Sequence, residues 1–195
     1  MRAILALAVM ALASASAALA EDPALDQKVR RFLERNRGAW RDMNVPWVDG
    51  QILHDLVVKG RHTRALEIGT STGHSSIWIA WGLSKTGGKL TTVEIDPSRH
   101  AEAPRNLEEA GVASLVDARL ADAHELVKQL PGPFDFVFSD ADKGWYLQYF
   151  KDVDPKLAVG GCFTAHNVLR SGGGGAGAFL EHVKALPNYR TTVEA

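Results

Sequence analysis

The sequence predicts an α/β domain, a mostly parallel sheet with helices on both faces, and three observations predict it. Short β-forming runs alternate with amphipathic segments long enough to cross over between parallel strands. The run Phe134–Ser139 is almost continuously apolar, the pattern of a strand covered on both faces. The first strand breaks at Gly69 and leads directly into a helix, an arrangement that places ligands beyond the carboxyl ends of a parallel sheet.

Each element follows from its residues. Leu25, Val29, Phe32 and Leu33 recur at helical spacing with Lys28, Arg30, Arg31 and Glu34 between them, predicting an amphipathic surface helix. After the loop Met43-Asn44-Val45-Pro46, a second helix carries the stripe Ile52, Leu53, Leu56, Val57 and stops at Gly60. Arg64–Ile68 is the first strand. Residues 73–84, with Ile77, Trp78, Ile79 and Trp81 on all sides, form a helix packed on the sheet. Residues 89–95 are the second strand, and Asp96-Pro97 opens the next helix as N-cap and first residue. That helix runs to Ala110 with a kink at Pro104 and stops at Gly111. Residues 115–120 and 123–130 are a third strand and a third crossover helix, and Phe134–Ser139 is the fourth strand. Residues 161–165 give a fifth strand, 179–186 a last helix, and 191–195 the start of a sixth strand.

The N-terminus is read apart from the fold. Residues 1–20 carry Arg2, an apolar Ala/Leu/Val stretch and Ala18-Leu19-Ala20, the pattern of a secretory signal peptide with an A-x-A cleavage site. An uncleaved N-terminal membrane anchor is the other reading. The folded domain is then 21–195, exported to a periplasmic or secreted location, or cytoplasmic if the segment is not a signal. No other stretch is long and apolar enough to span a bilayer. With 22 Lys+Arg against 23 Asp+Glu and no basic block, the chain lacks the footprint of a nucleic-acid binder. The single cysteine, Cys162, excludes an intramolecular disulfide framework and a multi-cysteine zinc site, and reads as a small core residue.

Chemistry is expected at the strand ends. Glu67-Ile68-Gly69-Thr70-Ser71-Thr72-Gly73 is a glycine-bearing loop between strand and helix, but it is neither G-x-G-x-x-G nor a P-loop. Its carboxylate suits a ligand with a cationic part. Glu94 can accept both ribose hydroxyls of a nucleoside, or be a solvated strand-end carboxylate. Asp122 can accept from an adenine amino group, or cap the helix that follows. Together the acidic ends fit a nucleoside with a positive appendage, a description that S-adenosylmethionine meets. Asp140, His166 and Asn167 offer a carboxylate, an imidazole and an amide oxygen to one divalent cation. Lys143, three residues past Asp140, is near enough to take a proton from a hydroxyl held there.

These residues resemble the cation-dependent O-methyltransferases, the class I family that includes catechol and caffeoyl-CoA O-methyltransferases. The similar pieces are Leu66-Glu67-Ile68-Gly69-Thr70-Ser71-Thr72-Gly73-His74-Ser75-Ser76, Val93-Glu94-Ile95-Asp96 and the run from Phe134 to Lys143, with Met43-Asn44-Val45 and Asp49-Gly50-Gln51 most similar to the catechol enzymes. The resemblance implies a Rossmann-like class I methyltransferase fold. It implies that Val45, Glu67, Gly69, Thr70, Ser75, Glu94, Asp122, Ala123 and Asp140 line an S-adenosylmethionine site. It implies that Asp140, His166 and Asn167 hold a divalent metal, that Lys143 is the general base and that Asp142 contacts substrate. The implied reaction methylates the hydroxyl of a catechol-like or other small phenolic acceptor.

Three departures bear on that expectation. The family's second metal ligand is normally aspartate; His166 replaces it and shifts preference from magnesium toward manganese, iron or zinc. The run Ser171-Gly172-Gly173-Gly174-Gly175-Ala176-Gly177 stands where the family has a longer substrate-binding segment. The sequence ends inside the expected sixth strand, so the seventh, closing strand is expected to be missing, with marginal stability or an edge-mediated homodimer as the result. Two rival readings follow: an exported domain of this fold that binds a nucleoside or metal without turnover, and a metal-free enzyme using Lys143 and His166 as acid-base groups.

Overall fold

The structure, a computed structural model, describes residues 22–40, 43–169 and 176–193. The expected leader, 1–20, and residues 171–175 of the glycine run lie outside the described residues. In chain order the helices are α1 (Pro23–Arg35), α2 (Trp47–Gly60), α3 (His74–Thr86), α4 (Pro97–Ala110), α5 (Ala123–Gln129), α6 (Tyr146–Val153) and α7 (Ala176–Ala185). The strands are β1 (Arg64–Ile68), β2 (Lys89–Glu94), β3 (Val116–Leu120), β4 (Phe134–Ser139) and β5 (Leu157–Ala165). They form one parallel sheet in the order β3-β2-β1-β4-β5. The chain lays down β2 and β3 on one side of β1, then returns to add β4 and β5 on the other. The reversal lies between β1 and β4, where their carboxyl ends flank a crevice.

Side-chain alternation assigns the two faces. Leu66, Ile68, Val93 and Val137 point into a core with α5, α6 and α7, built around Tyr146, Tyr149, Phe150 and Phe179. Ala65, Leu90, Phe136 and Phe138 point the other way, onto Leu53, Val57, Ile79 and Leu83 of α2 and α3. Beyond them α1 closes over α3 and α4 through Val29, Phe32, Leu33, Trp78, Trp81 and Leu107. The start of β1 is tied down by Asp135, whose Oδ2 accepts from the Thr63 amide at 2.8 Å and whose Oδ1 accepts from the Arg64 amide at 2.8 Å.

The expected α/β architecture is the observed one, with local corrections. The fifth strand begins at Leu157 rather than 161, because Gly160 at φ +81° turns the chain without ending the pairing with β4. Helix α4 has the expected span, with Pro104 inside it and Gly111 as its C-cap. The helix α6 was not expected, although Tyr146, Tyr149, Phe150 and Val153 make a complete helical stripe. The expected sixth strand does not form over residues 191–193. There Thr191 Oγ1 donates to the Val183 carbonyl at 3.1 Å, and Tyr189 packs edge-on to Phe150, so the segment folds back on α6 and α7 instead of entering the sheet.

Candidate active site at the switch point

The loop after β1 is shaped by three residues at positive φ: Gly69 at +102°, Ser71 at +49° and Gly73 at +97°. Gly69 cannot be replaced freely. A Cβ there would stand 2.9 Å from the Asp140 carbonyl oxygen, so this glycine lets the β1 loop pack directly on the β4 end. Gly73 is the N-cap of α3 and has no side chain to satisfy the first turn, leaving a helix N-terminus suited to a carboxylate.

Glu67 is fully buried beneath this loop. Thr92 Oγ1 donates to its Oε2 at 2.6 Å, and Ser76 Oγ donates to the same oxygen. Burial raises its pKa to about 7, against the lowering effect of hydrogen bonds from Ser75, Ser76 and Thr92, with the charge of Asp140 adding to the rise. Thr70 and Thr92 share a hydroxyl contact at 2.5 Å. His74, at the start of α3, bonds through Nδ1 to the Val45 carbonyl at 3.0 Å and accepts from Trp78 Nε1 at 3.1 Å. Burial lowers its pKa to about 4, partly offset by the Val45 carbonyl. Val45, Glu67, Thr70 and Ser75 are buried and Gly69 is half-buried, and Val45 meets the start of α3 through the His74 ring.

Glu94 is buried, not a solvated carboxylate, and it accepts three backbone N–H groups: Ser71 at 2.7 Å, Ile95 at 3.0 Å and Asp96 at 2.9 Å. A carboxylate has about four acceptor directions, and these amides take up three of them. Asp122 caps α5 by accepting from the His124 amide at 2.9 Å. Beside it, His124 stacks on Trp145 with ring centroids 3.9 Å apart, and Asp142 Oδ2 lies 3.6 Å from His124 Nε2. The stacked ring His124, next to Ala123, was not singled out from sequence, where a lone histidine on a short helix gives no signal.

Across the crevice the ends of β4 and β5 bring Asp140, Lys143, His166 and Asn167 together. Asp140 Oδ1 accepts from Lys143 Nζ at 3.0 Å, while its Oδ2 faces His166 Nδ1 at 3.1 Å. Asn167, in the left-handed region at φ +57°, sets its amide 3.0 Å from His166 Nδ1. His166 Nε2 reaches back to Asp49 Oδ2 in α2 at 2.7 Å. Burial alone would lower the His166 pKa, but the hydrogen bonds and charges of Asp140 and Asp49 outweigh it and raise the value. The Tyr146 hydroxyl donates to the His166 carbonyl at 3.0 Å and its pKa is raised by burial and by Asp140.

Among the described residues no three His, Cys, Asp or Glu side chains are arranged to hold a metal ion. Asp49 and Asp140 sit at opposite nitrogens of the His166 ring, so they cannot converge. What remains is one carboxylate, one imidazole and one amide. Their neighbouring atoms lie 3.0 and 3.1 Å apart, close to the edge of an octahedron whose ligands stand about 2.1 Å from a metal. With the Asn167 amide turned so that its oxygen faces His166, the three side chains are of the donor types a six-coordinate divalent cation accepts.

The model of a family described as O-methyltransferase matches residues 14–176. A catechol O-methyltransferase of Niastella koreensis is 39% identical over 127 residues, 63% of this chain and 57% of that protein. The chain spans little more than half the length of the curated relatives it matches. The O-methyltransferase of Bacillus cereus, solved in complex with SAH, superposes with TM-score 0.70 at 28% identity, covering 88% of this chain and 83% of that one. The O-methyltransferase TomG of Streptomyces achromogenes, solved in complex with SAM, gives 0.67 at 31% identity, covering 87% and 81%.

Proposed function

Because this chain belongs to the O-methyltransferase family, we propose that it transfers the methyl group of S-adenosylmethionine to the hydroxyl of a small phenolic acceptor of the catechol kind. The observation that carries the reading is the meeting of Asp140, Lys143, His166 and Asn167 within one hydrogen-bonded cluster beside the Gly69 loop. The names of the relatives, catechol O-methyltransferase foremost, support the acceptor class.

In this reading the cosubstrate lies against Val45, Gly69, Thr70 and Ser75, with Glu94 and Asp122-Ala123 toward its nucleoside end. The α3 N-terminus faces its carboxylate and the buried acidic wall its cationic part. Asp140, His166 and Asn167 would hold a divalent cation, whose chemistry when bound would be to acidify a phenolic hydroxyl. Lys143 Nζ, anchored 3.0 Å from Asp140, receives the hydroxyl proton, and Asp142 at the mouth contacts the acceptor. The C–O bond forms as the C–S bond breaks in line, so the residues act mainly by alignment. His166 in place of a second carboxylate favours manganese, iron or zinc over magnesium.

Residues 1–20 are proposed as an export signal, checked by sequencing the mature N-terminus, which would begin at Glu21. An association of two copies along β5 is proposed from its outer edge, which has no strand partner among the described residues. The central test is methyl transfer from labelled S-adenosylmethionine to a panel of catechols and phenols, with chelator-stripped protein and with added manganese or magnesium. Transfer that survives exhaustive chelation moves the acid-base work to Lys143 and His166 alone. A second reading, a nucleoside-binding domain without turnover, is motivated by His166 standing where the family has a second carboxylate. Calorimetry showing S-adenosylhomocysteine binding with no transfer to any acceptor would select it, and absence of binding would overturn both.

A further inference from the structure

The contact between Asp49 and His166 has no part in the scheme above, and it joins residues 117 positions apart in sequence. Asp49 lies in the first turn of α2, where an acidic side chain is favoured by the helix dipole. The backbone there is held closely: a Cβ on the next residue, Gly50, would overlap the Trp78 ring at 2.2 Å, so α2 sits directly on α3. That packing delivers the Asp49 carboxylate to the far nitrogen of His166, 2.7 Å from Nε2, while Nδ1 faces Asp140 and Asn167.

We propose that Asp49 is the positioning residue of the cation site, binding the Nε2–H of His166 so that the Nδ1 lone pair is presented beside Asp140 and Asn167. The assignment rests on the reading of those three residues as cation ligands. Two consequences follow from chemistry. An imidazole can ligate through either nitrogen, and the partner on one nitrogen decides which is the donor; here Asp49 selects Nδ1. The three donors carry a single negative charge, that of Asp140, and Asp49 adds a second through the imidazole, so that the two shells together neutralise a divalent cation. Asp49 touches neither acceptor nor reacting atoms, and its effect is exerted through His166.

The test uses the full chain, stripped with chelator and titrated with manganese(II) while the free-ion signal is read by electron paramagnetic resonance. Wild-type protein is expected to bind the ion and to show one nitrogen coupling in the spin-echo spectrum of the bound metal. Asp49→Asn, close to isosteric, is expected to bind 10–100-fold more weakly, the usual loss when the outer partner of a ligating histidine is removed. In a His166→Asp background, which has no imidazole to orient, the same change is expected to alter affinity less than threefold. Equal binding by wild type and Asp49→Asn would overturn the assignment alone, as would an equal loss in both backgrounds, the mark of a merely structural or long-range charge effect. Bound manganese without nitrogen coupling would overturn it with no variant needed. Wild-type protein that binds no manganese, zinc or magnesium would overturn the cation reading and the role of Asp49 with it.

Discussion

Glu67 and His74 are buried on either side of the same loop and carry opposite perturbations. Glu67 keeps its proton in the fold to about pH 7, so between roughly 4.5 and 7 the folded chain binds more protons than the unfolded one and stability falls as pH rises. His74 resists protonation down to about pH 4, so between roughly 4 and 6.5 the unfolded chain binds more protons and stability rises with pH. Each shift is worth up to about 3 kcal/mol, and across pH 4.5–6.5 the two nearly cancel. Glu67→Gln should therefore expose the histidine: urea midpoints should climb with pH from 4 to 6.5 more steeply in the variant than in wild type. Equal slopes in the two proteins would refute the pairing.

Lys143→Ala is expected to lower methyl transfer by about 10²–10⁴-fold while leaving S-adenosylhomocysteine affinity unchanged, measured by initial rates and calorimetry. An unchanged rate would remove Lys143 from proton transfer. At this scale the sequence was informative about position wherever a polar residue closes a strand, because the strand ends of a parallel sheet lie along one side of it. Glu94, Asp122, Asp140 and His166 were legible as strand-end positions for that reason, and Glu67 as the carboxylate one residue before the end of β1. Asp49 was not, since nothing local in an early helical turn shows which strand end it will face.

Among the elements, α2 and α6 do most to frame the crevice. Gly50 allows α2 to rest on the Trp78 ring, and Gly50→Ala is expected to cost about 1–3 kcal/mol by forcing the helices apart, read as a lower urea midpoint with unchanged slope. The same change should weaken manganese uptake, because it displaces Asp49. If stability dropped with cation affinity intact, the helix would be shown to move without carrying its carboxylate. Helix α6 escaped the sequence reading because it follows β4 after a single turn of 3-10 helix, Lys143–Trp145, and merges into β5 through another, Asp154–Lys156, so no separate loop sets it apart. Its stripe was present, and the flanking Gly144 and Pro155 lie inside those short turns.

For the whole molecule, alternation alone gave the parallel sheet, but not the order of its strands. That order depends on which crossover packs on which face, information spread over the cores on both sides of β1. It places β5 at an edge, where Val159 stands fully exposed. Val159→Lys should leave the melting temperature unchanged and lower any self-association seen by light scattering, since a charged side chain on an edge strand opposes pairing. A dimer that persists at the same concentration would place the contact on another surface.

The tryptophans are distributed unevenly. Trp40, Trp47, Trp78 and Trp81 gather against α3, where Trp40 stacks on His74 and Trp47 meets Trp78 edge-on. Trp145 stands apart from them, stacked on His124 at the strand-end face beside Asp122. The chain therefore contains its own optical reporter: with the α3 group as a constant background, a nucleoside arriving beside Ala123 would be visible as a change in Trp145 emission, without any label attached to protein or ligand.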